Sequence, residues 1–158
     1  HGTSAEDPRY EPAWRYARQH RLAILSHTWN ASSHNPSQWL SLPKLFEKYL
    51  DKYQDVEFVM GHSGGRGSGH VQAVAVARKY PNVYLDVSGD IFSMGLICWL
   101  VEAVGADRVL FGSDQPWIDP TAHLARIMLA EITEEAKRLI LRDNALRVYQ
   151  QEYPEEKQ

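Results

Sequence analysis

A chain of 158 residues with mixed composition and a net charge of −3 suits one domain built on one sizeable core. That balance leaves no electrostatic reason to expect nucleic acid or an acidic membrane surface as partner, and no apolar run approaches the ~18 residues that span a bilayer. The single cysteine, Cys98, sits in an apolar run and has no second thiol to pair with, so a reducing, cytoplasmic setting is expected. No signal-peptide pattern opens the chain. The first residue is His1 and not Met, which points to processing or excerpting. The charge-rich stretch Glu152 to Lys157 reads as a solvated end.

Helical and extended patterns alternate along the chain. Glu11 to His20 reads as a helix and Leu22 to His27 as the first buried strand. A long polar loop, Thr28 to Ser41, follows that strand at the end where long loops usually serve a site. Leu42 to Tyr53 places Leu42, Leu45, Phe46, Tyr49 and Leu50 on one 3.6-residue face. Val56 to His62 is the second strand, and His70 to Tyr80 a helix with Val71, Val74, Ala75 and Ala77 as its apolar positions. Val83 to Ser88 is the third strand. Ser93 to Val104 is a helix ended by Gly105 as a left-handed cap. Val109 to Asp114 is the fourth strand. Asp119 and Pro120 then start a helix as N-cap and first-turn proline, with Leu124, Ile127, Met128 and Leu129 covering the core. A last helix opens near Thr133, where Glu134 and Glu135 suit the positive end of its dipole, and buries Ala136, Leu139, Ile140, Leu146 and Val148. Strict alternation implies right-handed crossovers and a parallel sheet. An open doubly wound sheet and part of a (β/α)8 barrel both fit this order, and periodicity does not separate them.

The chemistry lies at the strand ends. Three of the four strands finish in a metal-capable residue, His27, His62 and Asp114. In parallel α/β folds those ends converge on one face, so residues far apart in sequence would share a mouth. Imidazole plus carboxylate is a ligand set for zinc and similar divalent ions, which acidify bound water. Each residue alone would be unremarkable as a strand or helix cap; three at equivalent places favour the site. Ser63 to His70 holds four glycines in eight residues, and reads equally as an anion cradle or a flexible turn. It lacks the Gly-Lys-Ser/Thr ending of a P-loop. Arg66 within it could pair with a carboxylate or phosphate. Asp86 and Ser88 share a face of the third strand by alternation, which makes Asp86 a buried partner of the site more than a ligand. Trp29, Asn30, His34 and Trp117 follow site residues on loops, and the tryptophans are expected to bind substrate with Arg66. Ser26 and Ser113 face the helices by alternation, and no serine or cysteine is placed for covalent catalysis.

Four motifs carry a resemblance: Leu-Ser-His-Thr at 25–28, Phe-Val-Met-Gly-His-Ser-Gly-Gly at 58–65, Asn-Val-Tyr-Leu-Asp-Val-Ser at 82–88 and Asp-Arg-Val-Leu-Phe-Gly-Ser-Asp-Gln-Pro at 107–116. In this order they resemble the amidohydrolase superfamily, and within it the amidohydrolase-2 group of TIM-barrel metal-dependent hydrolases and decarboxylases. The run Glu6 to Pro12 is similar to the segment before that group's fifth strand. The resemblance implies that the fold is the C-terminal half of a TIM barrel, strands five to eight, formed by residues 1–158 as a single domain. It implies that His27 is a metal ligand, that Asp114 is a ligand that also takes part in proton transfer, and that His62 positions or deprotonates the metal's water. His62 and Asp114 are thus the catalytic residues, the metal is a divalent ion, most simply zinc, and the substrate is a small organic acid, ester or lactone-like molecule.

The group's first-strand His-x-His pair has no counterpart here, and the chain is expected to begin just after the fourth strand of such a barrel. A strip of four strands cannot close on itself, and its concave face would expose apolar side chains at ~25 cal/mol per Å². The expected partner is therefore the N-terminal half of the barrel or a second copy in a homodimer. A reading from another class is a catalytically silent half-barrel that serves as an assembly or binding module.

Overall fold

The computed structural model describes residues 2–32 and 34–150. The charged stretch at 152–157 lies outside them. Helix α1 (Glu11–His20) leads into β1 (Ile24–His27), and β2 (Phe58–Gly61), β3 (Val83–Asp86) and β4 (Val109–Leu110) follow in turn. The four strands form one parallel sheet in the order β1-β2-β3-β4, with Ile24 beside Phe58, Phe58 beside Val83 and Leu85 beside Val109. Sequential order removes the doubly wound alternative, which needs a reversal of strand order. Each strand is shorter than its apolar run. At β4 the reason is local: the Phe111 N–H leaves the ladder and donates to the Ile140 carbonyl.

Between the strands lie α2 (Glu47–Leu50), α3 (Ser68–Lys79) and α4 (Leu96–Val104), and after them α5 (Pro120–Met128), α6 (Glu134–Arg138) and α7 (Asn144–Val148). The helix expected over 42–53 begins as a 3-10 turn, Pro43–Phe46, and becomes α-helical only as α2. Its apolar face is nevertheless the expected one, with Leu42, Phe46, Tyr49 and Leu50 buried. In α3 the buried positions are Gly69, His70, Ala73, Val74, Val76 and Ala77, whereas Val71 and Ala75 point outward. In α5 only His123 and Ile127 are buried, and Leu124, Met128 and Leu129 are exposed. The shift is one helical position: His123 replaces Leu124 on the inward face. Asp119 caps α5 through the Thr121 N–H, as the sequence indicated, and the last helical run opens where expected, with Thr133 capping α6 through the Ala136 N–H. Gly105 ends α4 at φ 90°, ψ 147°, a glycine-only conformation but not the left-handed helical one. The last helical run is divided by a π turn at Leu139–Asp143.

The main core lies between the sheet and its helices. Trp14 of α1 stacks on Tyr49 and on Phe58, whose ring centroids lie at 5.3 and 5.2 Å, and Phe46 meets Phe58 at 4.8 Å. The concave face differs from expectation. Val59, Tyr84 and Leu110 are buried there, covered by Val148 with Ala145 and Tyr149 packed alongside, because the chain after the π turn folds back beneath the sheet. Asn144 fixes that return by donating to the carbonyls of Ala106 and Val109, both at 2.7 Å. Among the described apolar residues of that face, Leu25 on the edge strand stays largely open, at 58% exposure. No helix among the described residues is long and apolar enough to cross a membrane.

Candidate active site

Two adjoining cavities of about 520 and 610 Å³ open at the C-terminal ends of the strands. The first is floored by the concave face and lined by Asp86, Ser88, Leu110, Gly112 and Tyr149. The second lies among the loops, between Trp29, Gln38, Arg66, Asp90 and Trp117. Three residues belong to both walls: His27, His62 and Asp114. The three strand ends singled out in the sequence therefore meet at the waist between a deep chamber and a loop-lined vestibule. The His27 and His62 rings lie with centroids 4.9 Å apart, edge to face, and Trp29 packs on both of them.

Backbone geometry holds two of these residues out of the strand path. His62 has φ 65° and Asp114 φ 66°, in the left-handed region that non-glycine residues seldom occupy. At His62 the turn is secured from several sides. Its N–H donates to Asp86 Oδ1 at 3.1 Å, its carbonyl accepts from Gly65, and the Ser63 hydroxyl donates to the Asp86 carbonyl. Thr28, fully buried at the end of β1, donates to the Gly61 carbonyl and accepts from the Gly64 N–H, joining the β1 and β2 ends.

His27 Nε2 lies 2.7 Å from Gln38 Oε1, so the long loop reaches back onto the site through a residue that composition alone does not mark. Burial pushes the His27 imidazole below its ordinary value, opposed by the bond to Gln38, reinforced by His62 and opposed again by Asp114. A neutral imidazole is the form that ligates a metal. Two imidazoles and a carboxylate at one waist are donors of the right kind for a divalent ion. The set is partial: among the described residues no group of three or more His, Cys, Asp and Glu is placed to hold an ion by itself. Gln38 also occupies His27 Nε2, so an ion taking that nitrogen displaces it.

Three glycines of the run, Gly64, Gly65 and Gly69, serve close packing. A Cβ on Gly69 would stand 1.7 Å from the Gly64 carbonyl oxygen, and one on Gly65 would stand 2.5 Å from the Trp29 indole. These glycines are consumed by close packing of the protein on itself. Arg66 is ion-paired with Asp90 and lies over the Trp29 ring at 5.9 Å. Trp117 stands at the rim, 88% exposed. His34 is not among the residues lining either cavity; its backbone N–H donates to the Ser32 hydroxyl. The sequence left Gln38, Asp90 and Tyr149 unnoticed, since each is polar or terminal and gains its place only through tertiary folding.

With this geometry in view, comparison with known proteins decides the family. The amidohydrolase family model matches residues 1–151. The chain belongs to the amidohydrolase family. No curated protein matches it at a significant level. Among solved structures, it is similar to an uncharacterised TIM-barrel protein from Bordetella bronchiseptica, at 21% identity and TM-score 0.78, covering 92% of this chain and 52% of that one. It is similar to 2,6-dihydroxybenzoate decarboxylase from Rhizobium, at 17% identity and TM-score 0.69, covering 93% and 57%. It is also similar to 5-carboxyvanillate decarboxylase from Novosphingobium aromaticivorans complexed with manganese and 4-hydroxy-3-methoxy-5-nitrobenzoic acid, at 15% identity and TM-score 0.69, covering 95% and 54%. The amidohydrolase chain thus spans about half the length of the solved structures it matches, and its sheet is part of a TIM barrel.

Proposed function

We propose that this chain carries one wall of the active site of a metal-dependent hydrolase or decarboxylase acting on a small organic acid, ester or lactone-like molecule. The observation that carries the reading is the meeting of His27, His62 and Asp114 at the waist shared by the two cavities. His27 and Asp114 would hold a divalent ion, zinc by donor chemistry or manganese by analogy with the 5-carboxyvanillate decarboxylase. When bound, such an ion supplies Lewis acidity and lowers the pKa of water. His62 accepts or returns a proton at the waist, and Asp114, which lines the same two cavities, shares that transfer. In the vestibule the edge of Trp29, whose ring is stacked on His27 and overlain by Arg66, and the rim Trp117 suit a planar substrate, and Arg66 is the cation available to its carboxylate once it exchanges Asp90 for substrate. The wall facing these residues would come from a second set of strands, in the same protein or in another copy. The unpaired edge of β1 and the open Leu25 support that partner.

The test is metal content and turnover together. Protein equilibrated with zinc or manganese and then dialysed is expected to retain about one ion per active site and to release carbon dioxide from 2,6-dihydroxybenzoate, or to open a lactone from a panel. Retention of neither metal, with no turnover on any of these, would favour the silent binding module.

A further inference from the structure

The concave end of β3 carries a hydrogen-bonded chain that the family assignment leaves without a role. Asp86 is buried, and its Oδ1 accepts three donors: the N–H of His62 at 3.1 Å, the N–H of Ser88 at 3.1 Å, and the Ser88 hydroxyl. Ser88 Oγ in turn lies 3.0 Å from His62 Nδ1. A serine hydroxyl has one proton to give, and a carboxylate has none. The Ser88 proton is therefore committed to Asp86, and toward His62 the Ser88 oxygen acts only as acceptor. The 3.0 Å contact then requires the proton on His62 Nδ1. In a neutral ring that leaves the lone pair on Nε2, the nitrogen not engaged by Ser88.

We propose that Ser88 and Asp86 are positioning residues that hold His62 as its Nδ1–H tautomer and so keep Nε2 available as base or ligand. The surrounding backbone is shaped for this chain of bonds. A Cβ at Gly89, whose φ is 85°, would stand 2.5 Å from His62 Nδ1, and a Cβ at Gly112 would stand 1.8 Å from Asp86 Oδ2. Only glycine at both places lets ring and carboxylate sit where they do. A strand-end carboxylate that merely satisfied two N–H groups would explain the contacts to His62 N and Ser88 N. It would not explain a side-chain hydroxyl set between carboxylate and imidazole, the arrangement by which outer groups fix a working histidine.

The inference rests on the proposed function for the use of His62, but its test reads the ring itself. In metal-free protein labelled with nitrogen-15 at histidine, at a pH above the histidine range, long-range proton–nitrogen correlation reports which ring nitrogen is protonated. The His62 signals are those lost in His62→Gln. The expected result is a protonated Nδ1 and a bare Nε2 in the parent protein and in Ser88→Thr, which keeps the hydroxyl. In Ser88→Ala the tautomer ratio is expected to move several-fold toward Nε2–H. A His62 found as Nε2–H in the parent protein overturns the proposal even if Ser88→Ala does not fold, and so does an unchanged tautomer in a folded Ser88→Ala. A correct tautomer in a protein that retains no metal would uphold this inference and overturn the proposed function, so the two fail separately.

Discussion

On the helix-covered face of the sheet, Phe58, Met60, Val83, Leu85 and Val109 are buried against Trp14, Tyr49, Leu100 and Ile127. On the concave face the same strands present Leu25 and His27, Val59 and Gly61, Tyr84 and Asp86, Leu110 and Gly112. One face is apolar along β2, β3 and β4 and is interrupted on β1 by Ser26, which lies beside Met60. The other is apolar toward the strand starts and turns polar or glycine at the strand ends. The difference shows how a period of two lets one strand serve two purposes: alternate residues supply cohesion, and their neighbours carry a gradient from packing to chemistry. Substitutions on the two faces should therefore separate stability from activity.

The largest expected effect is on activity with little cost in stability. Asp114 is exposed, so Asp114→Ala in the active protein should lower kcat by about 10²–10⁴-fold, as loss of a group that transfers protons does, while the unfolding midpoint moves little. A variant with full turnover would remove Asp114 from the site. The converse holds for Phe58, which is fully buried, stacked on Trp14 and packed at a tilt against Phe46. Phe58→Ala should cost about 3–5 kcal/mol in chemical denaturation. A loss below about 1 kcal/mol would mean that the aromatic cluster does not hold the sheet to its helices.

A moderate effect is expected from pH, and it too runs through the packed side. Burial pushes the imidazoles of His70 and His123 below their ordinary value of 6.5, with Arg126 acting in the same direction on both. The folded chain then binds fewer protons than the unfolded one, so the stability these residues contribute is intact above the ordinary value and is lost as pH falls toward the folded value. Urea midpoints measured on the acid side of neutrality should drop, and the drop should be shallower in a His70→Gln, His123→Gln double variant. An equal slope would assign the acid sensitivity to the carboxylates. The smallest effect belongs to the rim. Trp117→Ala should leave stability within about 0.5 kcal/mol, because the side chain is 88% exposed, and should raise KM more than it lowers kcat. A fall in kcat alone would place Trp117 nearer the reacting atoms than the rim.

Much of this architecture is legible in the amino-acid order. The boundaries of α1, the cap Asp119, and four apolar runs that become strands with His27, His62 and Asp114 at their ends follow from local rules of periodicity and capping, while the sequential strand order is implied by the family's motifs and not by periodicity. Periodicity and capping are short-range properties, set by residues within a few positions of one another. What tertiary structure alone decided is of another kind. Gln38 on His27, Tyr149 beneath the waist, the closing of Val148 over Val59, Tyr84 and Leu110, and the Ser88–Asp86 hold on His62 join residues from different elements. The position of His123 inside, where Leu124 was expected, is of the same kind, since a rotation of one helical position is settled by what the helix packs against. A hydrophobic period marks which face of an element turns inward; the partner it meets depends on how the chain returns, and that is written in the packing.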